Sequence, residues 1–174
     1  MPIPSAAHAP SAIELADEPD ALALERQVCF ALTVASRGVV QAYRPVLEPL
    51  GLSHPQYLVM LALWGSSPLS LTELSRSLRA DPATLSPLVK RLEAAGLVTR
   101  GRRAADERTL DIALTADGAA LRERALAVPG TMAERLGLDL AQLEQLHVLM
   151  TTLIGAVDRA QEAQHREPGE HPGE

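Results

Sequence analysis

The side chains that could do chemistry fall into two groups. The first is one thiol, Cys29, set in the apolar run Val28-Cys-Phe-Ala-Leu32. As the only cysteine it forms no intrachain disulfide, so it is either a reactive thiol or a small core hydrophobe. The second group lies between positions 84 and 108: Thr84, Ser86, Lys90, Arg91, Arg102, Arg103, Asp106 and Arg108. Short hydroxyls and cations at this density suit base edges and phosphates. Arg108 suits a narrow minor groove, and Asp106, two residues earlier, can pair with it and hold its orientation. His8, His147, His165 and His171 show no paired metal-ligand spacing, and there is no glycine-rich phosphate loop or Ser/His/Asp group. No cofactor, metal or enzymatic activity is expected.

The elements around the second group explain its position. Ser70-Leu-Thr-Glu73 is a capping box that starts one helix. Asp81-Pro82 reads as a cap followed by proline at the first helical position of another, and Gly96 fits its left-handed stop. Leu85, Leu88, Val89 and Leu92 form the buried side of that second helix and leave Thr84, Ser86, Lys90 and Arg91 facing out. Pro87 removes one backbone bond, and a bend is expected there. A strand-like Leu-Val-Thr-Arg follows, then a basic loop from Gly101 to Arg108, then Thr-Leu-Asp-Ile-Ala-Leu. Helix, tight turn, helix and basic hairpin make a winged helix-turn-helix, which seats a short helix in a DNA major groove.

The flanks read as helices. Leu24, Val28, Ala31, Leu32, Ala35 and Val39 recur at helical spacing from about Ala21 to Val46. Ser53 caps the next helix, with Pro55 in its first turn. Thr115 caps a helix from Ala116 to Ala127 that Pro129-Gly130 stops. In a last helix, from about Asp139 to Ala163, Leu143, Leu146, Met150, Leu153 and Val157 form a short heptad seam. The expected fold is mostly α with a small β-wing. Its parts are a loose tail (1–20), an N-terminal dimerisation helix (21–52), the DNA-binding unit (53–115), C-terminal dimerisation helices (116–164) and a second tail (165–174). Two-fold pairing through the end helices would set two recognition helices ~34 Å apart.

Composition agrees. The 174 residues carry net charge −6 and 2% aromatics. Between Leu71 and Leu114, eight basic residues outnumber six acidic ones, while the remainder is strongly acidic. A basic lobe on an acidic body meets phosphate on one face only. The lone cysteine suits a reducing compartment, no apolar run approaches the ~20 residues that span a bilayer, and the N-terminus is not a signal peptide. A cytoplasmic location, with no membrane partner, is expected.

The run from Leu71 through Asp106-x-Arg108 resembles the MarR family of bacterial transcriptional regulators. Gln27-Val-Cys29-Phe-Ala-Leu, Ala35-Ser-Arg37, Tyr43-Arg-Pro-Val-Leu-Glu-Pro-Leu-Gly-Leu, Pro55-Gln-Tyr57-Leu and Val128-Pro-Gly-Thr131 resemble its organic-hydroperoxide-sensing, one-cysteine (OhrR-type) branch. The resemblance implies a homodimer that binds operator DNA when reduced. Cys29 would be oxidised to a sulfenic acid by organic hydroperoxide, then pass to a mixed disulfide with a low-molecular-weight thiol or be overoxidised. It further implies that Tyr43 hydrogen-bonds the sulfur. Cys29 and Tyr43 are fourteen residues apart, ~21 Å along one helix, and the branch brings the tyrosine from the other subunit. A second sulfur-binding tyrosine of the branch falls at His54, which can still donate a hydrogen bond or, as imidazolium, hold a thiolate. A third falls at Thr33. Two other readings remain: a repressor released by a small phenolic or aromatic ligand with Cys29 structural, and a thiol peroxidase, for which no resolving cysteine exists.

Overall fold

The computed structural model describes Leu24, residues 27–103 and residues 106–166, with backbone only at 102, 103, 106–109, 165 and 166. The chain divides into two units, Met1–Tyr43 and Arg44–Glu174. The expected tail 1–20 and residues 167–174 of the expected second tail lie outside the described residues.

Helix α1 spans Val28–Leu47 and so starts later than the apolar spacing suggests. The Gln27 N–H bonds back to Leu24 in a tight turn, and the Gln27 carbonyl accepts the first helical bond, from Ala31. Apolar periodicity cannot separate such a lead-in from helix. Pro45 falls in the last turn, where its missing N–H frees only one carbonyl. A 3-10 turn, Glu48–Leu50, then runs into Gly51 at φ 70°. That left-handed backbone reverses the chain at no steric cost to glycine.

In the second unit, α2 (His54–Gly65) starts where the Gln56 side chain accepts from the Ser53 N–H at 2.9 Å. Strand β1 (Leu69–Ser70) leads into α3 (Leu71–Leu78) and α4 (Pro82–Ala94). The hairpin β2 (Val98–Arg103) and β3 (Asp106–Leu114) follows. The sheet is antiparallel, in the order β1-β3-β2. Val59, Met60 and Leu63 of α2 are buried with Leu74 of α3, Val89 and Leu92 of α4, and Val98 and Ile112 of the hairpin. Each large apolar side chain withdrawn from water contributes about 1.5–3 kcal/mol, so this core fixes the helix pair against the sheet.

Helix α5 covers Ala116–Ala125. A separate helix, α6 (Val128–Leu136), stands where a stop was expected. Pro129 does not end a helix but sits in the first turn of the next, where no N–H is needed. Helix α7 runs over Leu140–Arg166, two residues into the expected tail. Asp139 caps it through reciprocal bonds with Gln142 of 2.8 and 3.0 Å.

Among the described residues, α1 buries only Leu47 and no side chain of Leu140–Gln164 is buried. Leu140, Val148 and Leu149 are 62–72% exposed and widen the apolar surface of α7 well beyond the expected seam. By length and composition Leu140–Gln164 is long and apolar enough to cross a membrane. Its interspersed Glu144, His147, Asp158 and Arg159 equally suit a helix that packs against another apolar helix.

Candidate nucleic-acid interface and sensor thiol

The helix-turn-helix is set by local bonds. Ser70 Oγ accepts from the Glu73 N–H at 3.2 Å while the Glu73 carboxylate takes the Ser70 N–H at 2.6 Å. Helix α3 ends at Arg79, whose φ of 49° is left-handed, a conformation costing about 1–2 kcal/mol outside glycine. Its guanidinium pairs with Asp158 of α7 at 2.5 Å, and that hydrogen bond holds the Asp158 carboxyl below its ordinary range. At the far end of α4, Gly96 adopts φ 74°, its N–H bonds the Glu93 carbonyl, and the Leu97 N–H bonds the Leu92 carbonyl.

On α4, Leu85, Val89 and Leu92 point into the core, and Leu88 is half-buried. Thr84, Lys90 and Arg91 are exposed, as are Ala83 and Pro87 between them, while Ser86 is half-buried at the edge of that face. Among the described residues neither Lys90 nor Arg91 has an ion-pair partner. Thirteen residues make α4 ~20 Å long, enough to present this face to one groove.

The wing is longer than expected. Most of the supposed basic loop is strand: Arg102 and Arg103 belong to β2, and Asp106 and Arg108 to β3. Ladder pairing extends through Arg102, Arg103 and Asp106 instead of letting them loop. Pairing is regular from Val98↔Leu114 to Arg102↔Leu110, then jumps to Arg103↔Asp106. Glu107, Arg108 and Thr109 thus lie between consecutive paired positions, and this irregularity bends the hairpin near its tip. The side chains of Arg102, Arg103, Asp106 and Arg108 lie outside the described part, as do Ala104 and Ala105. At the base, Arg100 pairs with Glu93 of α4 at 2.5 Å. This hydrogen bond depresses the Glu93 carboxyl and ties the hairpin to the recognition helix.

The wing's other anchor is Thr115. Its hydroxyl donates to the Gly96 carbonyl at 2.6 Å and accepts from the Gly118 N–H at 2.9 Å. The Trp64 indole N–H donates to the Gly118 carbonyl at 2.8 Å. Gly118 passes so close to the Leu97 carbonyl that a Cβ there would lie 1.9 Å from its oxygen. Recognition helix, wing, α2 and α5 meet at this point.

Cys29 is exposed in the first turn of α1, where backbone N–H groups lack helical acceptors. The Thr33 hydroxyl donates to the Cys29 carbonyl at 2.8 Å, so the residue in place of a tyrosine bonds the cysteine's backbone. Tyr43 lies on the same unbroken helix, ~21 Å along the axis from Cys29. One chain does not bring the two together. His54 is the first residue of α2. Burial lowers its pKa from the ordinary histidine value, which favours the neutral, hydrogen-bonding imidazole over the imidazolium.

The sequence pattern of the MarR family matches residues 52–110, from the start of α2 into β3. An organic hydroperoxide resistance transcriptional regulator of Bacillus subtilis is 42% identical over 138 residues, covering 77% of this chain and 94% of that one. The chain belongs to the MarR family. It is a DNA-binding transcriptional regulator of the winged helix type. Reduced AbfR bound to DNA superposes with TM-score 0.70 at 31% identity, covering 82% of this chain and 97% of that one. Overoxidised AbfR bound to DNA gives 0.61 at 34%, covering 76% and 94%; AbfR comes from Staphylococcus epidermidis. Within this MarR-family chain, sequence reasoning missed the Arg79–Asp158 and Glu93–Arg100 pairs. Such pairs join residues 79 and 7 positions apart, and only the Arg100–Glu93 spacing, across a helix end into a strand, left a local trace.

Proposed function

We propose that this protein is a homodimeric repressor that binds a near-palindromic operator while Cys29 is reduced and leaves it when an organic hydroperoxide oxidises that thiol. The observation that carries the reading is the unbroken α1. An exposed thiol stands at one end and Tyr43 near the other, so a Tyr43 hydroxyl reaches Cys29 only from a second chain. The uncovered apolar faces of α1 and α7 support that pairing, because a helix apolar on several sides needs a partner to cover it. The name of the Bacillus subtilis relative and the redox forms of AbfR point to the same chemistry.

In the reaction, the Cys29 thiolate attacks the distal peroxide oxygen. The O–O bond breaks, the alkoxide leaves and takes a proton to become an alcohol, and the sulfur becomes a sulfenic acid. A low-molecular-weight thiol then displaces water to give a mixed disulfide. The partner's Tyr43 and neutral His54 serve as hydrogen-bond donors at the sulfur. On DNA, Thr84 and Ser86 contact bases or nearby phosphates, Lys90 and Arg91 bind phosphate, and the wing's Arg102, Arg103 and Arg108 reach the flanking minor groove with Asp106 orienting Arg108. Such a protein acts in the cytoplasm, where its operator is.

Fluorescence anisotropy with DNA from upstream of its own gene tests this. Wild type should bind tightly when reduced and release on cumene hydroperoxide, while Cys29→Ser should bind and stay bound. Release of the Cys29→Ser protein by the oxidant would remove Cys29 as the sensor. Tight binding that ignores oxidant in both proteins would direct attention to small-molecule effectors.

A further inference from the structure

The turn between α3 and α4 holds an arginine that the DNA and thiol chemistry leave unused. Arg79 stands at φ 49°, a backbone that glycine adopts without strain, and its guanidinium crosses to Asp158 of α7 at 2.5 Å. We propose that this pair positions the recognition helix against α7 and so makes the protein selective for the distance between the two halves of its operator.

Both ends of the link are placed for this. Only Ala80 and the N-cap Asp81 separate Arg79 from Pro82, the first residue of α4. Little slack therefore lies between the guanidinium and the helix that carries Thr84 and Ser86. Asp158 directly follows Val157, the last residue of the apolar seam of α7. A partner helix that covers the seam in a dimer thereby fixes the carboxylate as well. A strained backbone held by its surroundings is a marker of function, and here the strained residue is the one whose side chain makes the link.

The chemistry of the contact suits orientation more than cohesion. The cleft between α3 and α7 is lined by Arg76, Arg79, Asp158, Gln161 and Glu162. Helix α3 and its turn supply the cations and α7 the carboxylates. No apolar side chain lines the cleft, so burial does not set the angle between the helices there. The guanidinium does, because its planar donors meet a carboxylate in a fixed direction. Both side chains reach water, and exposed pairs add little to stability. One base-pair step is ~3.4 Å along the duplex and ~35° around it. A recognition helix freed to move by that much can follow a half-site displaced by one pair, whereas a tethered one cannot.

This proposal rests on the two-fold operator reading but not on the thiol switch, and the test is run in the Cys29→Ser background. Footprinting on DNA from upstream of the protein's own gene locates the dyad. Anisotropy then compares that duplex with one carrying a single extra base pair at the dyad. The parent should prefer the original spacing by about tenfold or more, the size of one mismatched contact. Asp158→Asn, checked for folding by circular dichroism, should bind the original duplex nearly as well as the parent and lose most of that preference. The exchanged pair Arg79→Asp/Asp158→Arg should regain it, since aspartate tolerates a left-handed backbone. An undiminished preference in Asp158→Asn would overturn the proposal. So would equal strengthening on both duplexes, which would make Arg79 a phosphate contact that Asp158 masks. So would an exchanged pair that folds yet stays indifferent to spacing. A parent that is itself indifferent to spacing would refute the two-fold operator reading, and the proposal with it.

Discussion

Gly118→Ala is a severe test of how the wing is anchored. Helix propensity alone favours alanine by up to about 1 kcal/mol. The structure opposes this, because the new Cβ would lie 1.9 Å from the Leu97 oxygen and 2.9 Å from its carbonyl carbon, both backbone atoms. Helix α5 must therefore retreat by roughly 1 Å, and overpacking of this kind costs about 1–3 kcal/mol. The retreat also stretches the Trp64–Gly118 bond of 2.8 Å, for about 1 kcal/mol more. The net expectation is a loss of about 2 kcal/mol. Gly130→Ala in α6, where a Cβ meets nothing within 4 Å, is the control and should be neutral or stabilising. Guanidinium unfolding at fixed protein concentration is followed by circular dichroism and by the fluorescence of Trp64, the only tryptophan. If Gly118→Ala proved as stable as Gly130→Ala, the close approach of α5 to Leu97 would be wrong, and with it the route by which the wing is held.

Two further outcomes follow from the exposed face of α4 and from His54. Lys90→Ala and Arg91→Ala should each reduce the slope of log affinity against log salt by about 1 without lowering the melting temperature; an unchanged slope in anisotropy titrations would take the residue off the phosphates. Because the His54 pKa is lowered in the folded protein, the unfolded chain binds more protons at mildly acidic pH. Stability should be full above the ordinary histidine value of 6.5 and decline as pH falls through and below it. His54→Gln should flatten that decline in unfolding curves between neutral and mildly acidic pH, and an identical decline would assign the effect to another group.

Much of the fold was legible because its signals are local. Ser70 and Glu73, Asp81 and Pro82, and Gly96 each act within one turn of chain, and the structure places element ends at them. The buried side of α4 followed from spacing alone. What failed did so for physical reasons. Pro129 is compatible with a helix start as well as a stop, and only tertiary context decides between them. The strands of the wing continue through residues whose charge suggests a loop, because ladder bonds join backbone groups and do not depend on side-chain charge. Ser86 sits nearer the core than Thr84 because the 100° step between helix positions carries it to the edge of the buried arc. The links from Arg79 to Asp158 and from Trp64 to Gly118 join distant positions and leave no trace in periodicity. The proposed pairing of Cys29 with Tyr43 is a different case, since one chain's sequence holds both residues but no geometry that unites them.

The straight run of α1 has a genetic consequence. If each sensing centre takes its sulfur from one chain and its phenol from the other, defects in the two groups are complementary. Neither a Cys29→Ser nor a Tyr43→Phe allele would respond normally by itself. A mixed dimer of the two carries one centre lacking both groups and one with both intact. Co-expression should therefore restore inducible derepression in part, whereas a centre built within a single chain would leave every chain of the mixture defective.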